Sequence, residues 1–524
     1  MTSELPPGRV GNLTPEQEEK LRQLWTAIFK VYHYNLGGDA LGDAANGAEA
    51  ADDDDAGEAG VPESVSSAAV GDKKKEKKRK RDIFKRSKKD TSASADESIA
   101  PVTKAVSTVD LAATSEDDKY GQSKLFQEAL ANQSPESIRN TIWSMVKHDH
   151  PDALVLRFLR ARKWDVDKAL VMLVSTMHWR AHDMHVDDDI MAKGEGGAAE
   201  EVAGSTDEKA KALSEDFLAQ MRMGKSFLHG ADKQGRPICI VRVRLHHQGD
   251  QLEESVERCT VYTIETARMA LHPPVDTATI IFDMTGFSLA NMPNYAFPEI
   301  LLIREQDYSP VKFMIKCFEA NYPECLGTVL VHKAPWLFQG TNIFILPFQS
   351  ARTGADSRQG IWRIIRGWLD PVVASKVHFT NNVKDMEEFI SKDQIIKELD
   401  GDEDWDYKYI EPEAGENDKM KDTATRDKLL TDRQQLYRAF EEATAQWVLN
   451  SDDGQVKALR QRREDVAKQL REHYWTLDPY IRARSLYDRT GMLRPDGTVD
   501  FYAKINKDEV TQTNGNAVAQ SDVD

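Results

Sequence analysis

Four short runs constrain this chain more than any other feature: 237–245 (PICIVRVRL), 277–284 (TATIIFDM), 327–332 (GTVLVH) and 376–380 (KVHFT). Each is dense in Val, Ile, Phe or Thr, which suit a pleated, half-covered backbone, so each reads as a β-strand. Between them apolar residues recur at helical spacing over 251–271, 294–320 and 361–369, and again after the last strand over 384–399. Parallel neighbours need long crossovers, which helices supply. The alternation therefore predicts an α/β domain with a largely parallel or mixed sheet.

The flanks read as helical. Over 13–34, Thr14 suits an N-cap, Pro15 the first turn and Gln17 a capping box, after which Leu21, Leu24, Trp25, Ile28 and Phe29 form one apolar face. Helices are predicted over 123–147 and 152–181, the latter with Val166, Leu170, Leu173 and Met177 in one stripe. Over 425–490, Leu436, Phe440, Ala443 and Trp447 make one stripe and Val466, Leu470 and Tyr474 another. Asp452-Asp453-Gly454 would turn these into an αα-hairpin.

Two stretches cannot bury enough apolar surface to offset chain entropy. Residues 36–70 hold nine acids and no Lys or Arg, and residues 73–89 hold twelve Lys or Arg against Glu76 and Asp82. The segment 36–120 is therefore expected to be a disordered linker, and the Asp-, Glu-, Gly- and Ala-rich stretch 187–212 a disordered loop. The basic tract has three readings: a solvated linker, a nuclear-import signal, or a tether to an anionic bilayer. The whole chain carries −18, but with +10 in 73–89 the remainder carries −28, so the total describes neither part.

Several function classes fall away. No apolar run approaches the ~18 residues of a membrane span, and the start MTSELPPGRV lacks the layout of a signal peptide. Cys239, Cys259, Cys317 and Cys325 include no Cys-x-x-Cys pair, which fits free thiols in a reducing compartment. Gly224-Lys225-Ser226 resembles the end of a phosphate-binding loop, but Ala219 stands where a Gly is required and no predicted strand precedes it. Gly286-Phe287-Ser288-Leu289-Ala290 resembles a nucleophile elbow, with His332 and His378 as late partners. His148-Asp149-His150 and His182-x-x-His185 lack metal-binding spacing. No Gly-x-Gly-x-x-Gly follows a strand. The expectation is no catalytic residue, no metal and no cofactor, with a hydrolase at Ser288 as the alternative.

Five segments carry more information. They are Asp152–Ala169 (DALVLRFLRARKWDVDKA), Asp232-Lys233-Gln234-Gly235-Arg236-Pro237, Ile281–Phe287 (IFDMTGF), Asn321–Gly327 (NYPECLG) and Leu369–Lys376 (LDPVVASK). In this order and spacing, over about 125–400, they resemble the CRAL-TRIO lipid-binding family, in its branch of fungal phosphatidylinositol transfer proteins. The resemblance implies a helical N-terminal lobe packed on a CRAL-TRIO α/β lipid-binding domain, followed here by the C-terminal helical hairpin. It implies binding and intermembrane transfer of phosphatidylinositol in an enclosed apolar pocket, with a bound phospholipid as ligand and no cofactor. Carried over position by position, the head group falls to Arg162, Glu324 and Lys376, and the lid helix to Trp362, Ile365, Trp368 and Leu369. Arg and Lys can hold a phosphate by charge-assisted hydrogen bonds, and Glu can accept from inositol hydroxyls.

This chain departs from the family at two places. Cys325 stands where familiar members have Arg after the Glu, and Ala278 and Ile280 replace the Ser and Thr of members that also carry phosphatidylcholine. A sterol-like or isoprenoid lipid stays open as an alternative ligand. The expected protein is a monomer that meets membrane surfaces transiently, binds no nucleic acid, and is cytoplasmic and peripherally membrane-associated, with the nucleus as the alternative through 73–89.

The expected divisions are an N-terminal helix over 1–35, the linker 36–120, a helical lobe over 121–186, the loop 187–212, the lipid-binding domain over 213–412, a helical extension over 413–490 and a tail over 491–524. Within them, Gln339-Gly340 and Gln359-Gly360 bracket twenty residues, 340–359, that interrupt the family pattern. We read these as a retained intron, with a genuine loop beside the lid as the alternative.

Overall fold

A computed structural model describes residues 5–34, 36, 118–247, 249–287, 309–335 and 361–503. Helix α1 spans Pro15–Val31 and starts with the expected capping box, Thr14 accepting from the Gln17 N–H and Gln17 accepting from the Thr14 N–H. All five residues of its apolar face are buried.

The expected helix over 123–147 is two helices, α2 (Gln122–Asn132) and α3 (Pro135–Val146). Pro135 forces the break, and Ser134 caps α3. The span 152–181 likewise divides into α4 (Pro151–Ala161) and α5 (Val166–His178), because Lys163 and Trp164 take positive φ and Asp165 caps the second helix.

The stretch 187–212, expected as a disordered loop, is instead mostly helical. A π-helical turn, Val186–Met191, leads into α6 (Ala192–Gly204), and α7 follows over Glu208–Arg222. Its glycines are packing positions. A Cβ on Gly194 would lie 2.9 Å from the Ala483 Cβ, and one on Gly196 would collide with the Asn417 Nδ2. Buried Glu195 receives hydrogen bonds from the Tyr262 hydroxyl at 2.8 Å, the Tyr409 hydroxyl at 3.0 Å and the Leu486 N–H at 3.0 Å, and pairs with Arg489. Composition suggested solvent, whereas these residues seat the C-terminal part of the chain.

The five-stranded sheet runs in sequence order: β1 (Ser226–Ala231), β2 (Pro237–Arg242), β3 (Ala278–Asp283), β4 (Leu326–His332) and β5 (Val377–Thr380). β1 and β2 are antiparallel and the rest parallel. The sequence pattern missed β1, whose His229-Gly230 pair spoils the alternation and whose ladder shifts between Leu228 and Ala231. Gly224-Lys225-Ser226 thus enters a strand rather than following one, which agrees with rejecting a phosphate-binding loop. Helix α8 (Glu253–Met269) connects β2 to β3. Before β4, α9 (Ser309–Lys316) runs into a π-helical turn at Cys317–Asn321. Before β5 lies α10 (Ile361–Trp368).

One sheet face holds Phe227, Ile238, Ile240, Ile281 and Leu330 against Met386, Ile390, Ile395, Ile396 and Leu399. The covering segment is not the helix expected over 384–399. It has one α-turn, Val383–Met386, and two 3-10 turns, Lys392–Gln394 and Lys397–Leu399, which place its apolar residues irregularly.

The C-terminal hairpin is present as α11 (Thr423–Leu449) and α12 (Asp453–Ile481). Its turn precedes the expected Asp-Asp-Gly, since Asp452 caps α12 and Gly454 lies within it. The hairpin shares one core with α1 and the lobe. Trp25 and Arg463 both donate to Asp152 Oδ1, at 2.7 and 2.5 Å, and Trp143 donates to Glu441 at 2.7 Å.

Candidate functional site

The second sheet face differs in chemistry. Strand register aligns Cys239, Ile280, Val329 and Val377 in one row across β2 to β5, and Val241, Phe282, Val331 and Phe379 in the next. Side chains alternate across a strand, so both rows face the same way. Every residue of the second row is half-buried, whereas Ile240, Ile281 and Leu330 on the opposite face are buried. The row lies beside α10, where the Trp362 ring meets Phe379 edge to face at 5.2 Å. Ile365 packs with Met284, Ala334, Val331 and Phe379. Trp362 and Ile365 share one face of α10, Leu369 follows the helix end, and Trp368 lies under the Lys312 ammonium, which is 5.0 Å from its ring centroid.

The three expected head-group residues stand on separate contacts. Arg162 ends α4 and donates to Gln122 Oε1 at 2.5 Å. Lys376 is half-buried, its backbone carbonyl accepts from the Val329 N–H at 2.9 Å, and its ammonium joins no ion pair among the described residues. Glu324 sits in the turn before β4 with φ of +56°, a conformation that strains a non-glycine residue. No ion pair joins Glu324 to Lys376 among the described residues.

Arg157, which sequence reasoning passed over, holds that turn. It is buried and donates to the carbonyls of Glu324 and Asp276, both at 2.7 Å, and to Cys325 Sγ at 3.5 Å. Only its place among the four cations of the RFLRARK segment could have pointed to it. Arg160 donates to the Gly8 carbonyl at 2.9 Å and pairs with Asp276 at 3.4 Å. Burial, with Arg9 and Arg157 nearby, lowers its guanidinium to about 10. Burial pushes the Cys325 thiol up, so a neutral group stands beside Arg157 and Arg268. An Arg there would add a third buried cation, which accounts physically for the departure at 325. The Asp165 carboxylate accepts from the Lys168 N–H at 3.0 Å.

Ser288 lies outside the described residues. The candidate partner His332 is fully buried on the opposite face, in the row Arg242, Asp283, His332 and Thr380, with Nδ1 3.0 Å from the Thr380 hydroxyl. Asp283 is engaged by Arg244 at 2.6 Å and by the Thr285 N–H at 2.9 Å. His378 is exposed and contacts Phe389. Among the described residues, no group of three or more His, Cys, Asp and Glu side chains could hold a metal ion, and no helix is long and apolar enough to cross a membrane.

An N-terminal helical lobe, a mostly parallel sheet with one apolar half-covered face, and a Tyr-Pro-Glu turn braced from that lobe define a lipid-binding class of fold. The CRAL/TRIO domain model matches residues 221–355 and 357–401, and the CRAL/TRIO N-terminal domain model matches 122–175. A CRAL-TRIO domain-containing protein of Schizosaccharomyces pombe is 38% identical over 499 residues, covering 93% of each chain. The phosphatidylinositol transfer protein CSR1 of Eremothecium gossypii is 34% identical over 503 residues, covering 94% of this chain and all (100%) of that one. The solved structure of Sfh5 aligns over 50% of this chain and 71% of its own at 12% identity, with a TM-score of 0.30 that is too low to bear on the fold. The chain belongs to the CRAL-TRIO family.

Proposed function

We propose that this chain binds phosphatidylinositol and carries it between membranes without catalysis. The observation that carries the reading is the half-buried apolar row Val241, Phe282, Val331 and Phe379 beside α10. Such a face suits acyl chains: exposing a chain of about 16 carbons to water costs roughly 12 kcal/mol, at about 0.8 per CH₂. The similarity to CSR1 favours phosphatidylinositol among phospholipids. In this reading Arg162 and Lys376 bind phosphate, Glu324 accepts from inositol hydroxyls, and α10 is the lid. Its opening at a membrane surface lets the chains pass between apolar phases.

Ala278 and Ile280 belong to the same apolar face and offer no hydroxyl, which disfavours phosphatidylcholine. The protein acts in the cytoplasm as a monomer with transient membrane contact, with no nucleic-acid partner, and the 73–89 tract serves as an anionic-membrane tether. The folded part divides into a lobe over 121–186 and a lipid-binding domain over 213–412, to which the C-terminal helices add a brace.

Lipid extraction and mass spectrometry of purified protein tests the reading. One phosphatidylinositol per chain is expected, lost in the double variant Arg162→Ala/Lys376→Ala. Recovery of only a sterol-like or isoprenoid lipid would overturn the head-group assignment. Hydrolysis of lipid esters abolished by Ser288→Ala would establish the hydrolase instead.

A further inference from the structure

A polar cluster at the C-terminal end of α10 takes no part in the assignments above. Glu319, on the π-helical turn Cys317–Asn321, has a side chain only 6% exposed. Both of its carboxylate oxygens are occupied. Oε2 accepts from the Tyr120 hydroxyl at 2.6 Å and the Lys119 ammonium at 2.8 Å, and Oε1 accepts from the Asp370 N–H at 2.6 Å. Lys119 also donates to the Trp368 carbonyl, at the helix end where carbonyls lack intrahelical donors. The Asp370 carboxylate in turn caps the next helical turn, accepting from the Val372 N–H at 2.8 Å. Segments preceding α2, following α9 and following α10 thus converge on one buried carboxylate.

Apart from the Lys312 ammonium over Trp368, the remaining contacts of α10 described above are apolar or aromatic. Apolar contacts are non-directional and tolerate sliding. Hydrogen bonds to a shielded carboxylate are lost within an ångström of movement, and they are among the stronger ones. The site is also wired toward the ligand side. Gln122, which accepts from Arg162, donates to the Ala320 carbonyl beside Glu319 at 3.2 Å, and Arg162 acts electrostatically on Tyr120.

We propose that Glu319 is a latch that sets the closed position of α10, and that its release from Asp370, Lys119 and Tyr120 limits the rate of lipid exchange. The inference rests on the lid reading of α10. Glu319 is a positioning residue in this scheme and touches no lipid.

Two variants, Glu319→Gln and Tyr120→Phe, test it in the full-length protein. Hydrogen–deuterium exchange over 361–374 is expected to accelerate about tenfold in Glu319→Gln and less in Tyr120→Phe, while β3 and β4 exchange as in the parent. Transfer of labelled phosphatidylinositol between phosphatidylcholine vesicles should accelerate by a similar factor, with the bound lipid per chain unchanged by mass spectrometry. Unchanged hydrogen exchange over 361–374 in both variants overturns the latch. Faster hydrogen exchange with unchanged transfer of bound phosphatidylinositol overturns its control of the rate. Faster hydrogen exchange in protein that carries no phosphatidylinositol keeps the latch and removes the proposed ligand. If Glu319→Gln loosens the whole sheet, Tyr120→Phe, which deletes one hydroxyl, decides alone.

Discussion

Arg157 donates a 2.7 Å hydrogen bond to the backbone carbonyl of Glu324, a partner 167 positions away in the sequence. One guanidinium from the helical lobe thereby holds the strained turn of the α/β domain, and its second arm reaches the Asp276 carbonyl before β3. Of the cations in the RFLRARK segment, Arg157 braces this turn, while Arg162 at the helix end donates to Gln122.

Arg157→Ala and Arg162→Ala should therefore separate stability from binding. The first takes the guanidinium from two part-buried carbonyls and leaves a cavity at a buried position, and should lower unfolding free energy by about 3 kcal/mol. The second should change it by less than about 1 kcal/mol yet abolish lipid loading. Urea unfolding with lipid mass spectrometry checks both, and equal destabilisation would contradict the division of roles.

Glu324→Gly should move the two readouts in opposite directions. Its φ of +56° suits glycine, so removing the side chain should relieve about 1 kcal/mol of strain. The same change deletes the proposed inositol acceptor. A variant that melts no lower than the parent and carries less phosphatidylinositol is the expected result.

Adjacent residues of β4 should respond differently to substitution. Leu330 is fully buried, so Leu330→Ala should cost about 2–5 kcal/mol. Val331 is half-buried on the face beside α10, where the lipid is proposed to lie, so Val331→Trp should block loading with a stability change of under about 1 kcal/mol. Thermal melting of delipidated protein measures the first effect, and lipid stoichiometry the second. Normal loading by Val331→Trp would place the ligand elsewhere.

Stability should fall with acid through His148. Burial, helped by His272 and Arg268 and opposed by Asp149, lowers its imidazole to about 4. The unfolded chain protonates near 6.5, so it takes up a proton that the folded chain refuses. The contribution is present above pH 6.5 and is lost as pH falls toward about 4. His148→Gln keeps a donor for the Arg268 carbonyl, to which His148 Nε2 lies at 3.2 Å, and should flatten this limb. A pH–stability curve merely shifted downward would contradict the assignment.

The retained-intron reading makes a prediction at the transcript. Residues 340–359 lie outside the described residues, and the matched ranges of the family model, 221–355 and 357–401, include all of them but residue 356. Mature messages joining codon 339 to codon 360 are expected, and uniform retention would establish a genuine insertion.

The sequence read alone was sufficient for the α/β class, four of five strands, the capping box of α1 and the hairpin of α11 and α12. These features follow from short-range rules of spacing, turn chemistry and propensity, which any window of the chain expresses. The family's motifs likewise survive as local strings. Only the tertiary structure showed that the Gly- and Ala-rich stretch 187–212 is a packed helical face, because close approach to Ala483 and Asn417 is invisible to composition. The same holds for the role of Arg157 and for the three donors that meet at Glu319. Charges adjacent in sequence look equivalent until the fold decides which reach backbone carbonyls, as Arg157 does, and which meet a side chain, as Arg162 meets Gln122. For Arg157 that decision depends on partners 119 and 167 positions away, which no local pattern records.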